Sequence, residues 1–275
     1  MKTHGDYTCS EGFWCPNVRV AAMNDADQRA GVFVDAIVEA AEKVPPADLL
    51  DIRVGQFWIV VNTSAGAGMA SAMRSEAHLH GSRPIVRAGE LHTMTPLELV
   101  GLARSESAPE AGVGMAAANA LLNSVAAGLS EEKAVKILCE RGKGKRVAMI
   151  GHFPFADSLR EHCDQLWVFE RGLNRRDGDL GDEAMDQLLP QADVVAVTAT
   201  TLLNKTLPTV LAGVRPDAFV MMLGPSTPLT PVLLDLGFDV LCGTVIEDSE
   251  TVLRAVEQGA VTPQITGVRR VSLWR

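Results

Sequence analysis

The sequence predicts a two-part α/β chain, with an α+β first half and a second half built as a Rossmann-like, doubly wound parallel sheet. Three observations carry that expectation. Five short apolar runs (147–150, Gln165–Phe169, Val194–Thr198, Phe219–Leu223 and 240–241) alternate with helical stretches, and nearly unbroken apolar strands need a sheet covered on both faces. The polar, glycine-bearing joint Gly142-Lys-Gly-Lys-Arg146 comes just before the first of them, where the character of the chain changes. Upstream, a paired-strand pattern is followed by helices, and 275 residues suit two domains better than one. The expected division is an extension over 1–25, a first domain over 26–140 and a second over 141–275.

The elements follow in order. Residues 25–44 place Ala30, Phe33, Ile37, Val38 and Ala41 at helical spacing, until Pro45 and Pro46 stop the helix. Leu49–Val54 and 57–62, separated by Gly55-Gln56, read as a β-hairpin. Ser64-Ala-Gly-Ala-Gly68 is small enough for its backbone to approach another surface closely. Residues 77–94 show no clear period and read as loop. Thr95-Pro96 opens a helix to about Ser105, with proline in the first turn, where its missing N–H costs nothing. Pro109 opens another, carrying Val113, Ala116, Ala120, Leu121 and Val125 to a stop near Gly128. Ser130-Glu-Glu-Lys133 reads as an N-cap with an acidic first turn before a helix over 134–139.

Composition bounds the function. Apolar residues make up 47% and charged residues 21%, enough for packed cores, and the net charge of −9 argues against a nucleic-acid partner. No run of about 18 apolar residues exists, so no membrane span is expected. The start of the chain carries His4, Asp6 and Glu11 where a signal peptide needs an apolar core. Five cysteines, odd in number and widely spaced, suit reduced thiols, and the expected compartment is cytoplasmic.

In a doubly wound sheet, ligands sit beyond the carboxyl ends of the strands, so the residues after each apolar run are the ones to read. Gly151-His152-Phe153-Pro154 follows the first run. The dinucleotide fingerprint needs more glycines, and Pro154 removes a donor, which disfavours the usual NAD site. His152 is the acid/base candidate, because an imidazole titrates near neutrality. Glu170 ends the second run, either to accept ribose hydroxyls or as a solvated strand end beside Arg171. Thr198, Thr201 and Asn204 follow the third, as an anion-holding helix start or an ordinary cap. Gly224-Pro-Ser226-Thr227-Pro228 makes a rigid wall with donors and acceptors, and Ser226 lacks the elbow of a hydrolase nucleophile. His78-x-His80 with His92, and Cys9 with Cys15, are weak metal patterns, better read as surface loop and chain terminus. Asp177-Gly-Asp179-Leu-Gly-Asp182-Glu183 reads as a flexible loop before a helix, and Cys242 as core packing.

The second half resembles the DUF364 family, named for heavy-metal chelation. The matching stretches are Val147-Ala-Met-Ile-Gly-His-Phe-Pro-Phe155, Val168-Phe-Glu170, Gly178-Asp179, Ala192-Asp-Val-Val195, Thr198 to Thr206, Gly224-Pro-Ser-Thr-Pro-Leu229 and Leu241-Cys-Gly243. The first half resembles the companion DUF4213 domain, which implies an enolase N-terminal-like fold. Its marks are Val54-Gly55, Trp58, Gly66-Ala-Gly-Met-Ala70 and Gly114-Met-Ala-Ala-Ala-Asn-Ala-Leu-Leu122. The resemblance implies a site between the domains, for condensation or hydrolysis of a flavin-, pterin- or chelator-like metabolite. Asn119 would stand at that junction, or else be a helix Asn bonded within the core.

Three functions follow as expectations. The leading one is a pocket that processes or holds a chelating small molecule, with His152 catalytic. Its ligand would be bound by Gly151, Phe153, Glu170, Thr198, Thr201, Asn204, Gly224, Ser226, Thr227 and Asn119. The second is a transferase using S-adenosylmethionine or a nucleotide. The third is a non-catalytic protein that binds a metal ion or a metallophore. A homodimer is expected from the family and from the edges of the domains.

Overall fold

A computed structural model describes residues 31–73, 83–171 and 175–275. Helix α1 (Val32–Glu42) leads into a three-stranded antiparallel sheet, β1 (Leu49–Val54), β2 (Trp58–Thr63) and β3 (Ala67–Ser71), in the order β1-β2-β3. The expected hairpin is there, closed by the Gly55 amide donating to the Trp58 carbonyl at 2.9 Å. The third strand was not expected, because alanine and glycine carry little β-propensity. Its composition answers to packing. A Cβ on Gly68 would sit 2.1 Å from the Ala120 nitrogen and 2.4 Å from the Ala116 oxygen, so only glycine lets β3 lie on that helix.

That helix is α3 (Ala108–Val125), preceded by α2 (Pro96–Gly101). Thr95 and Glu98 form a reciprocal capping box at the start of α2, satisfying two otherwise orphaned amides. Ser130 does not cap the next helix. Its backbone exchanges two 2.8 Å hydrogen bonds with Ser272, and α4 (Ala134–Gly142) starts at Ala134 with no side-chain cap.

The second sheet holds β4 (Arg146–Ile150), β5 (Gln165–Phe169), β6 (Val194–Thr198), β7 (Phe219–Leu223), β8 (Val240–Ile246) and β9 (Val268–Trp274). Its order is β5-β4-β6-β7-β8-β9, parallel except for β9, which runs antiparallel along β8. The helices between them are α5 (Ala156–Arg160), α6 (Met185–Leu188), α7 (Thr200–Leu203), α8 (Leu207–Ala212), α9 (Pro231–Asp235) and α10 (Ser249–Glu257). Alternate side chains go to opposite faces. Val147, Met149, Val194 and Ala196 pack with Ile137 and Leu138 of α4 and Leu159 of α5. Ala148, Ile150, Val195 and Val197 join a cluster that runs on into α1 and α3, where the Phe33 and Phe238 rings meet edge to face at 6.4 Å. Cys242 is buried as expected, and burial pushes its thiol up to about 12.

The two sheets are not closed separately. In β2, Ile59, Val60 and Val61 are all fully buried. Ile59 and Val61 belong to the cluster around α3, while Val60 packs with Met69 and with Val252 and Val256 of α10. A helix from the second half therefore covers one face of the first sheet. Among the described residues, no helix is long and apolar enough to cross a membrane.

Candidate functional site at the carboxyl edge of the large sheet

From β4 the chain winds to β5 on one side and to β6 on the other, so the topological switch point lies between β4 and β6. The loops after those strands meet there. Gly151 has φ +92°, a backbone that other residues rarely adopt, and a Cβ on it would come within 3.0 Å of Thr198 Cγ2. Sheet register sets Glu170, Gly151, Thr198 and Gly224 side by side along one edge, since Phe169, Ile150, Val197–Thr198 and Leu223 are paired neighbours.

His152 is the best-held polar side chain on that edge. Its Nδ1 lies 3.0 and 2.9 Å from the two Asp179 oxygens, and the two side chains are 9% and 2% exposed. A carboxylate accepts only, so Nδ1 carries the proton and donates it, and Nε2 is left as the acceptor nitrogen of the ring. Asp179 is held in turn by the Arg176 amide at 2.9 Å, in a turn where Gly178 takes φ +87°. The acidic stretch does lead into a helix, but it is held as a turn: Asp179 is buried while Asp177, Asp182 and Glu183 stay exposed, and Leu180 bridges Phe169 at the outer edge of β5. Sequence reasoning passed over Asp179 as a site residue. Its only signal was the Gly178-Asp179 pair within the family match.

Glu170 works on the backbone. One of its oxygens accepts the His152 amide and the other the Arg171 amide, each at 2.8 Å. That clamp fixes the loop carrying the imidazole, with each carboxylate oxygen accepting one backbone amide. Phe153 stacks on Phe155 with centroids 5.5 Å apart, walling the same loop. Thr198 shares a 3.0 Å hydroxyl contact with Thr200, and Thr201 donates to the Thr198 carbonyl at 2.7 Å. Asn204 accepts from the Thr206 amide and hydroxyl at 3.2 and 2.7 Å, a local cap. The helix these residues lead into, α8, is six residues long, and Thr206 already engages Asn204 at its start.

Gly224 lies on the edge, but Ser226, Thr227 and Asn119 belong to the junction with the small sheet. Ser226 Oγ accepts the Ser71 amide at 2.9 Å, at the end of β3. Asn119 is fully buried and donates to the Met69 carbonyl at 2.9 Å, while its Oδ1 and the Thr227 hydroxyl have no partner. Asn123, one turn along α3 and missed in the sequence, accepts the Leu229 amide at 3.0 Å and donates to the Thr244 carbonyl at 3.1 Å. Lys205 was also missed. Its amine donates to the Ala103 carbonyl across the junction, and burial pushes its pKa down.

Among the described residues, no group of three or more His, Cys, Asp or Glu side chains could hold a metal ion. His92 lies on the first half, along β1, well apart in the fold from the His152 loop, and His78, His80, Cys9 and Cys15 lie outside the described residues. On this edge His152, Asp179 and Glu170 do not form such a group, and the two carboxylates hold the histidine and backbone amides.

Known proteins agree with this architecture. A protein of the DUF364 family with unknown function from Desulfitobacterium hafniense superposes with a TM-score of 0.76 at 25% identity, covering 91% of this chain and 100% of its own. A Pyrococcus horikoshii protein from that family superposes with a TM-score of 0.73 at 20% identity, covering 88% and 99% respectively, which bears on the fold alone. An uncharacterized protein of Methanocaldococcus jannaschii is 30% identical over 202 residues, spanning 70% of this chain and 74% of that one. Two family models match in sequence, both described as "Putative heavy-metal chelation": DUF4213 over residues 37–122 and DUF364 over 133–275. With the second match covering the large sheet from α4 to the last residue, this chain is a member of the DUF364 family.

Proposed function

We propose that the carboxyl edge of the large sheet binds and processes a small polar metabolite of the metal-chelator kind, with His152 as the proton-transfer group. The observation that carries this reading is the buried His152–Asp179 pair beyond the ends of β4 and β5, with Nδ1 held at 2.9–3.0 Å and Nε2 left over. A histidine oriented by a carboxylate in this way can take a proton at Nε2 and return it, the role needed in either condensation or hydrolysis. Glu170 holds the histidine loop, and Thr198 and Gly224 flank it along the edge. The family's heavy-metal theme enters through the ligand, which would carry the metal in its own donor atoms. A bare ion has no side-chain cage here among the described residues.

Native mass spectrometry of the full chain, incubated with a filtered extract of small metabolites, tests the reading. The wild-type chain is expected to retain a small molecule and to change its mass over time. His152→Ala should retain the same molecule and leave it unchanged, with turnover reduced by about 10²-fold or more. Asp179→Asn should fall between the two, because an amide can hold the wrong ring tautomer. No retained molecule on the wild-type chain, or equal turnover by His152→Ala, overturns the proposal.

A further inference from the structure

The small sheet ends on β1, which among the described residues has no neighbouring strand on its far side. Ile52 turns its backbone groups that way. Its amide is taken by Asp51 Oδ1 at 2.7 Å, and its carbonyl receives Arg53 Nη1 at 3.3 Å. Asp51 and Arg53 also pair with each other. Side chains from the strand itself thus stand where a neighbouring strand's backbone would. The surroundings are apolar, with Leu50 62%, Val54 47% and Phe57 38% exposed. A cavity of about 390 Å³ runs along the whole of β1, walled opposite by Gly89, Leu91 and His92.

Exposed apolar side chains beside an open strand edge mark an association surface. What occupies it follows from the strand's own chemistry. Leu50-Asp51-Ile52-Arg53-Val54 is self-complementary: apolar, acid, apolar, base, apolar. Laid antiparallel on a second copy with the two-fold axis at Ile52, Asp51 faces the partner subunit's Arg53, and the apolar flanks of the two strands lie beside each other, the strand being irregular at Leu50. The two Ile52 residues would then exchange amide and carbonyl. Moving the axis to Asp51 or to Arg53 sets like charges directly opposite, so the charges also fix the register. We propose that β1 is a two-fold interface, where a second copy of this chain binds and continues the small sheet across both subunits. The hollow beside the strand leaves room for the partner's apolar side chains. This interface lies on the other half of the chain from the His152 site and stands or falls independently of it.

Sedimentation velocity on the full chain, over a range of micromolar concentrations, tests the interface. The wild-type chain should reach twice the monomer mass as concentration rises. Arg53→Asp and Asp51→Arg should each weaken association by about tenfold or more, by setting like charges across the axis. The double variant D51R/R53D restores opposite charges and should recover association to within about threefold of wild type. A chain that stays monomeric throughout, single variants that associate like wild type, or a double variant as weak as the singles each overturns the proposal. Ile52→Cys gives a measurement that needs no charge change. It should cross-link to its own copy under mild oxidation, whereas Val86→Cys should not, and failure of the Ile52→Cys cross-link also overturns the interface.

Discussion

The two edges of the large sheet use charge in opposite ways. At the amino edge, Asp193 binds the Arg146 guanidinium through both oxygens, at 3.1 and 3.2 Å, accepts the Arg146 amide at 2.9 Å and meets Arg215 at 3.0 Å. The charges there answer one another, and the result ties the start of β4 to the start of β6. At the carboxyl edge, Glu170 and Asp179 are equally engaged, but their partners are the backbone and one nitrogen of His152, whose other nitrogen is left over. One edge uses its charges to close the sheet, while the other uses them to aim a titratable ring. The strands are shared, so the contrast comes from the residues at their two ends.

That contrast can be broken in three places. Asp179→Ala should have the largest effect on folding, because the carboxylate is buried and leaves both the imidazole and the Arg176 amide without an acceptor. A loss of about 2–3 kcal/mol is expected in chemical denaturation, together with loss of ligand processing. A variant as stable as wild type would show that the turn holds itself without the carboxylate. Asp193→Ala should cost about 1 kcal/mol, as a largely solvated pair does, and should leave turnover at the opposite edge unchanged. A turnover defect in that variant would mean that the edges are coupled through the strands.

The smallest effect is with acid. The Arg146 guanidinium and amide hold the Asp193 carboxyl down at about 2, from 3.8. A lowered carboxylate contributes stability that is complete above 3.8 and disappears as pH falls toward about 2. The contribution should stay under about 1 kcal/mol, because water and salt screen the pair. Acid titration of wild type against Arg146→Met measures it, and the variant should lose less stability over that interval. Equal losses would assign the acid response to other carboxylates.

These effects also separate what could be read in the sequence from what could not. The strands of the large sheet were legible to the residue at Gln165–Phe169, Val194–Thr198 and Phe219–Leu223, because a strand buried on both faces must be apolar throughout. β9 was not, because Val268-Arg-Arg-Val-Ser-Leu-Trp274 is an edge strand with two charged residues near its start, one exposed and one paired with Glu247. β3 hid in a run of alanine and glycine, whose smallness records contact with α3. His152 could be picked from its place after a strand, since position in a parallel sheet predicts an edge. Its partner could not, because an aspartate among four acidic residues looks solvated until the chain folds it against His152. Asn123 and Lys205 were invisible for a similar reason, since their partners lie 106 and 102 residues away.

The cover that α10 lays over the small sheet has a consequence for synthesis. When the ribosome has finished α3, the nascent polypeptide already holds all three strands of that sheet and the helix that packs one side of it. The residues that shield the other side, Val252 and Val256, are translated more than a hundred codons later. Until then the Val60 and Met69 side chains stay wet, so the amino-terminal half should emerge as a collapsed, unfinished intermediate that chaperones would hold. A gene truncated before α10 should yield insoluble product even though every strand of that sheet is encoded.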